Sequence, residues 1–413
     1  MDPLAPELIN LIFQHVQDDY DSRELADVLR NCCLVSHGWR EIAQPILFSE
    51  YPRFRQHPNK ELFQTLHQQP HLQSHIKNLC IQTKLWFELP IYETVFCELA
   101  PGLKTLVITN QWTGGTPLPI AEAIVSCLST NILTGLSFSG VTSFPISIFY
   151  QLPHLRDLHL HASTISGFSV EDGKLGLEYE PTPTRSEGLK PKLDRLFIEE
   201  ASLEQIRVLH WFMSADCAFD LSELKTFYGF ESPRVMGPGL EIYTICQKFV
   251  NFVASSLLNL ALDPNPAVLA DPVWFKFEPL PHLRSIRLSL QNDYYPLINL
   301  LPWVTNVLNS LSHPTQLEYL DLPCRFYGEG PIDLDPSLGW HQLDNFLVSG
   351  RFPNFKRVSF GAVRVFPHEN DRMDAIVNGI PFLLPRLSEK GLVIVTNSPV
   401  IGYLSRRDCW YWD

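Results

Sequence analysis

The chain has 413 residues, 45% of them hydrophobic, with 32 basic residues against 45 acidic ones for a net charge of −13. That apolar content excludes extensive disorder, and an acidic balance in both the first fifty residues and the rest excludes the basic footprint of a nucleic-acid binder or a partner for an anionic membrane. Nine scattered cysteines without a C-x-x-C pair exclude a disulfide framework, and with no N-x-S/T sequon and no signal-peptide pattern the expectation is a soluble protein of the cytosol or nucleus.

Pro6 suits the first turn of a helix, where its missing N–H would have no partner anyway. Leu8, Ile9, Ile12, Phe13 and Val16 then recur at helical spacing. The run Asp18-Asp19-Tyr20-Asp21 breaks that stripe. Asp21 with Glu24 reads as a capping box for a second helix, with Leu25, Val28, Leu29 and Cys32 on its inner face and Leu34-Val35 at its end. Ser36 reads as the cap of a third helix carrying Trp39, Ile42 and Ala43, which Pro45 is expected to end before Ile46-Leu47-Phe48. Three short helices make a small core that usually needs a neighbour or a partner. Leu4, Pro6, Leu8 and Val35 are surplus to such an interior, which is the sequence sign of a docking face.

These residues resemble the F-box family in the form common in fungal proteins. The resemblance rests on Leu4-Ala5-Pro6-Glu7-Leu8, Ile12, Leu34-Val35-Ser36, Trp39, Ala43 and Pro45-Ile46-Leu47-Phe48, in the family's order, over about an eighth of the chain. Ala5 stands where the family often has proline. The resemblance implies docking to a Skp-family adaptor, and through it to a cullin scaffold, by Leu4, Pro6, Leu8, Ile12, Leu34, Val35 and Trp39, the last as contact or as packing.

Residues 1–50 are thus expected to form the docking module and residues 51–71 a helical connector. From residue 72 to 413 a phrase of the type L-x-x-L-x-L recurs. It appears as Ile76/Leu79/Ile81, Leu103/Leu106/Ile108, Leu133/Leu136/Phe138, Leu155/Leu158/Leu160 and Leu193/Leu196/Ile198. It continues as Leu257/Leu260/Leu262, Leu283/Ile286/Leu288, Leu317/Leu320/Leu322 and Phe355/Val358/Phe360, with a degenerate copy at Leu224/Phe227 and a last strand over 392–395. The phrase steps by 22 to 38 residues, and helical patterns over 122–128, 203–213, 242–257, 297–311 and 373–384 lie between copies. A strand plus a helix per unit cannot bury its apolar side alone, whereas stacked units make a continuous core. The expected fold is α/β: an irregular leucine-rich-repeat-like solenoid, with parallel strands on its concave side and helices on its convex side. An ordinary α/β sheet with leucine-rich strands is the alternative.

Segments 167–191, 231–239, 263–279 and 323–336 follow strands and are rich in Pro, Gly and acidic residues, so they are expected as irregular loops on one rim, with 167–191 a flexible insertion. The tail Cys409-Trp410-Tyr411-Trp412 reads as a cap on the last unit. The x positions of the phrase point away from the core, which offers Arg156, His159, Arg195, Arg284, Arg287 and Tyr319 as candidates for holding a protein target, through arginine contacts to acidic or phosphorylated segments.

Catalytic and cofactor motifs are absent. Gly173-Lys174 lacks the first glycine of a phosphate loop, and Gly328-x-Gly330 lacks the rest of a dinucleotide fingerprint. There is no G-x-S-x-G and no H-E-x-x-H. His67, His71 and His75 are split by Pro70, and His159 with His161 gives only two potential ligands where zinc needs three or four. No metal or cofactor is expected. The reading is a non-catalytic substrate receptor of a ubiquitin ligase, against two alternatives: an interaction scaffold whose N-terminal helices only cap the array, and an enzyme with an unrecognised site.

Overall fold

The computed structural model describes residues 8, 11–12, 22–49, 60–82, 95–96, 98–99, 102–109, 132–141, 144–161, 165–166, 168–171, 174–177, 190–199, 203–229, 239–262, 280–292, 300–311, 316–326, 339–363 and 378–398. The chain divides into two compact units, Met1–Pro191 and Lys192–Asp413. Both are α/β.

In the first unit, helices α1 (Ser22–Val35) and α2 (His37–Ser49) pack around Leu29, Ala43 and Leu47, with Cys32, Cys33, Trp39, Ile42 and Ile46 partly buried against them. Ser36 caps α2: its Oγ accepts the Trp39 N–H at 3.4 Å and its carbonyl accepts the Arg40 N–H at 3.0 Å. Arg40 in turn donates from Nε to the Cys33 carbonyl at 3.0 Å, satisfying one of the acceptors left open at the end of α1. Pro45 does not end α2, which runs on to Ser49. An interior proline costs about 3 kcal/mol through its lost hydrogen bond and its clash with the preceding turn. Stopping at Pro45 would release Leu47 and Ile46 from the core, and burial of such side chains contributes about 1.5–3 kcal/mol each. Packing therefore overrides the break. Asp21 and Pro6 lie outside the described residues.

Within the expected connector, α3 is Lys60–Gln68, with Leu66 buried. Pro70 opens a separate 3-10 turn, Pro70–His75, so His67, His71 and His75 share no helix face. Strands β1 (Asn78–Gln82), β2 (Thr105–Thr109) and β3 (Gly135–Ser139) are parallel neighbours. A short strand β4 (Phe144–Pro145) follows, and β5 (Asp157–His161) then pairs parallel with β3. The second and third apolar positions of each phrase are buried in all four long strands. Strand β6 (Ile165–Ser166) pairs with β4. The insertion 167–191 is not irregular throughout, because β7 (Phe168–Glu171) and β8 (Lys174–Leu177) form an antiparallel hairpin.

The second unit alternates strands and helices. Its elements are β9 (Arg195–Glu199), α4 (Leu203–Phe212), β10 (Thr226–Gly229), α5 (Gly239–Phe252), β11 (Asn259–Leu262), β12 (Ser285–Leu288) and β13 (Leu290–Asn292). There follow α6 (Leu300–Ser310), β14 (Tyr319–Asp321), β15 (Cys324–Phe326), α7 (Trp340–Val348), β16 (Arg357–Val363), α8 (Pro385–Glu389) and β17 (Val393–Ser398). Strands β9, β10, β11, β12, β14, β16 and β17 run parallel in that order. Strand β16 is long enough to pair with β14 through its first half and with β15 through its second, and β13 pairs with β15. Residues 324–326, expected in an irregular loop, are thus ordered by the end of β16. Helices α4, α5 and α6 fall on the expected periodic stretches, and residues 378–383 are helical within the last one. Helix α7 was not expected. Residues 122–128, 230–238 and 263–279 and the tail lie outside the described residues.

One backbone device sets the strand register. The carbonyl of the first x residue of a phrase accepts two N–H groups from the next phrase. Lys77 takes Lys104 at 2.7 Å and Thr105 at 3.1 Å; Asp194 takes Lys225 at 2.9 Å and Thr226 at 3.1 Å; Arg284 takes Glu318 at 2.7 Å and Tyr319 at 3.0 Å. Each strand start is thereby tied to its neighbour whatever the length of chain between them. The apolar positions face the helices: the Phe227 and Phe249 rings lie 4.8 Å apart, and those of Trp340 and Phe360 5.9 Å.

Candidate functional site

Two surfaces stand out, one on the helical pair and one on the sheet face away from the helices of the second unit. In the helical pair, Leu29, Ala43 and Leu47 use up the small core. Leu34 and Val35, at the end of α1, are left 78% and 66% exposed, and Leu8, Leu11 and Ile12, helical residues near the start of the chain, are 50%, 54% and 39% exposed. Exposed large apolar side chains are individually ordinary; the adjacent pair Leu34-Val35, immediately before the Ser36 cap, is the more telling feature. Trp39 is partly buried against the core. Leu4 and Pro6 lie outside the described residues. Leu11 escaped the sequence reading because it falls off the inner stripe of its helix; its place three residues after Leu8 and next to Ile12 was the available signal.

On the far face of the second unit, the x positions align into rows because the strands pair in register. The row Phe197, Tyr228, Ala261, Arg287, Asp321, Ser359 crosses six strands. Its first half is apolar and buried, with the Phe197 and Tyr228 rings stacked at 6.2 Å. Its second half is polar. Arg287 Nε reaches Asp321 Oδ2 at 3.4 Å with both side chains about four-fifths buried, at 24% and 20% exposure, and Ser359 Oγ donates to Asp321 Oδ1 at 3.3 Å. Burial raises the Asp321 carboxyl above the ordinary aspartate value, opposed by the Arg287 guanidinium, the Ser359 hydrogen bond and Arg357.

Charged side chains flank this row, with Arg284, Lys356 and Arg357 exposed and Glu318 and Tyr319 half-buried. Lys356 Nζ donates to Glu318 Oε2 at 2.7 Å. That hydrogen bond, with the Arg284 charge further off, holds the Glu318 carboxyl below its usual range and raises the Lys356 ammonium. The Tyr319 ring lies under two cations, with Arg357 Cζ 5.3 Å and Lys356 Nζ 5.7 Å from its centroid. Arg284 stands exposed immediately before β12. The sequence candidates Arg284, Arg287 and Tyr319 therefore come together here. Lys356, Arg357, Glu318 and Asp321 complete the group; their places at equivalent positions of successive phrases were the signal that joins them.

Arg195, partly buried on β9, stands apart from this group, on the apolar side of the row. In the first unit Arg156 is exposed, whereas His159 is buried, with its Nδ1 3.2 Å from Ser137 Oγ on the adjacent strand. The His159 and His161 rings are 6.4 Å apart. Among the described residues no group of three or more His, Cys, Asp or Glu side chains gathers as a metal site, and no helix is long and apolar enough to cross a membrane. No family model and no curated protein matches the chain.

Proposed function

We propose that the chain is the substrate-recognition subunit of an SCF-type ubiquitin ligase. Its F-box-like helical segment docks on a Skp-family adaptor, and its strand-and-helix array, a leucine-rich-repeat-like solenoid, holds a target protein. The observation that supports this reading is the adjacent pair Leu34-Val35, exposed in a segment whose residue order resembles the F-box. Burying each such side chain against a partner contributes about 1.5–3 kcal/mol, and the small core of Leu29, Ala43 and Leu47 leaves the pair uncovered. The receptor makes and breaks no bond. It raises the effective concentration of a target lysine near the ubiquitin thioester carried by the cullin assembly, in the cytosol or nucleus.

A second reading has an observation of its own: α2 packs against the Pro70–His75 turn that precedes β1, as a cap on a repeat array would. In that reading the chain is an interaction scaffold without a ligase role. The test is a pull-down of the full chain with purified Skp-family adaptor, beside the double variant Leu34→Asp, Val35→Asp. Micromolar binding that the variant loses, at unchanged thermal stability, supports the receptor. A folded chain that does not bind the adaptor leaves the scaffold.

A further inference from the structure

We propose that the far face of β12, β14 and β16 binds an acidic peptide segment, with one carboxylate on Arg284, a second on Arg357, and its backbone over Tyr319. This rests on the reading of that face as the recognition surface, and names the class of target it takes.

The argument is one of charge and spacing. Four cations, Arg284, Arg287, Lys356 and Arg357, share the face with two anions, Glu318 and Asp321, so this patch is net positive in a chain of net charge −13. The two anions are already committed, Glu318 to Lys356 and Asp321 to Arg287. Among the described residues no carboxylate lies at ion-pair distance from Arg284 or Arg357, and both are exposed. Tyr319 holds the Arg357 guanidinium against its ring, which restrains the side chain while leaving the N–H edge able to grip a carboxylate with two parallel bonds.

Arg357 lies in β16 and Arg284 immediately precedes β12, the strands on either side of β14. Two strand spacings put their backbones about 10 Å apart. A single phosphate does not span that gap. A peptide in the extended polyproline II conformation does, because at three residues per turn its residues i and i+3 fall on one side, about 9 Å apart at about 3.1 Å per residue. Between them the middle strand offers Tyr319 and a Glu318 already paired with Lys356, neither of which attracts an acid. The face therefore selects an acidic residue, two neutral residues, then a second acidic residue, rather than a bare run of negative charge.

The test uses the full chain and fluorescein-labelled ten-residue peptides followed by anisotropy in low and high salt. One peptide carries a Glu-Ala-Ala-Glu step, the second replaces both glutamates by glutamine, and the third carries a single phosphoserine and no carboxylate. The expected result is saturable, salt-sensitive binding of the first peptide alone, weakened at least tenfold in the Arg284→Gln, Arg357→Gln double variant. Should that variant unfold, Arg284→Gln alone, at an exposed position, is expected to weaken binding at least threefold. Equal affinity for the glutamate and glutamine peptides, or an affinity that neither variant changes, overturns the proposal. So does a phosphoserine peptide bound tenfold better than the glutamate peptide, which would make the face a phosphopeptide site. Adaptor binding by the same variants is expected to stay intact. Peptide binding by a chain that fails to bind the adaptor would sink the ligase reading and leave this inference standing.

Discussion

The buried carboxylate of Asp344, on α7, accepts the backbone N–H of Leu387, on α8, through Oδ1 at 3.0 Å. Through Oδ2 it also accepts the N–H of Arg386 at 3.1 Å. Helix α8 has only five residues, and its N-cap, Leu384, supplies no side-chain bond. The cap comes instead from α7, so the two helices are joined by a polar contact as well as by packing. Arg351 plays a similar part at the other end of a helix: its Nη2 donates to the carbonyls of Asn309 and Leu311 at 2.9 and 3.1 Å, closing α6 from the chain that follows α7.

Replacing Asp344 strands two N–H donors in a buried place. Asp344→Leu is expected to lower stability by about 2–6 kcal/mol, at about 1–3 kcal/mol for each of the two donors left unpaired. Asp344→Asn should cost less, since its amide keeps one acceptor oxygen. Urea unfolding measures the loss, and amide hydrogen exchange at Arg386 and Leu387 localises it. Unchanged exchange at both amides in Asp344→Leu would remove the capping role.

The degenerate copy of the repeating phrase has a steric cause. Where other copies carry a third apolar side chain, this one carries Gly229. A Cβ built there would lie 2.8 Å from Phe227 Cε1 and 3.2 Å from Cys246 Sγ. The Phe227 ring, packed on Phe249, fills the space of two apolar positions. Gly229→Ala is expected to cost about 1–3 kcal/mol by overpacking, and Phe227→Leu in the same chain should recover part of that cost. A double-mutant cycle in urea gives the coupling. Additive losses would show that the two positions do not compete for the same space.

Much of this was legible because an apolar phrase with a fixed spacing has only one way to bury itself. Leu158 and Leu160, or Leu320 and Leu322, are buried wherever the loops between happen to lead. The far face was less legible because its chemistry depends on strand neighbours. Arg287 reads as an available cation until the in-register Asp321 of the next strand neutralises it, and His159 reads as exposed until Ser137 is placed beside it. Two misreadings were avoidable. Asp172-Gly173, between Phe168/Val170 and Leu175/Leu177, is a hairpin signal, and Trp340, Leu343 and Leu347 have the spacing of α7. Pro45 was a true conflict, in which a strong local stop signal yields to burial of Leu47.

That conflict can be relieved. Pro45→Ala restores an N–H in mid-helix and removes the clash with the preceding turn, and is expected to stabilise the helical pair by about 1–3 kcal/mol. The readout is hydrogen-exchange protection of the Ala43–Leu47 stretch together with the thermal midpoint of the full chain. A lower midpoint would show that the proline ring itself packs better than the restored bond compensates.

The two carboxylates of the far face should titrate in opposite directions from their ordinary values. Glu318 is held low by the Lys356 hydrogen bond, and Asp321 is pushed high by burial. For Glu318, whose folded value lies below its unfolded one, the stabilisation is present above the unfolded value and is lost as pH falls through the folded one. For Asp321 the sign reverses: the fold favours the neutral acid, so this contribution is fully present below the unfolded value and is lost as pH rises through the folded one. Carboxyl carbon NMR from pH 2 to 8 follows both groups, starting from ordinary values of about 3.9 for aspartate and about 4.3 for glutamate. Lys356→Gln should return Glu318 toward the ordinary glutamate value and leave Asp321 high, because the cause of the latter is burial. Arg287→Gln should push Asp321 higher still, by removing the charge that opposes burial. An Asp321 that titrates at or below the ordinary aspartate value would mean that water reaches the Arg287–Asp321 pair, and that the row from Phe197 to Ser359 is open to solvent along its polar half.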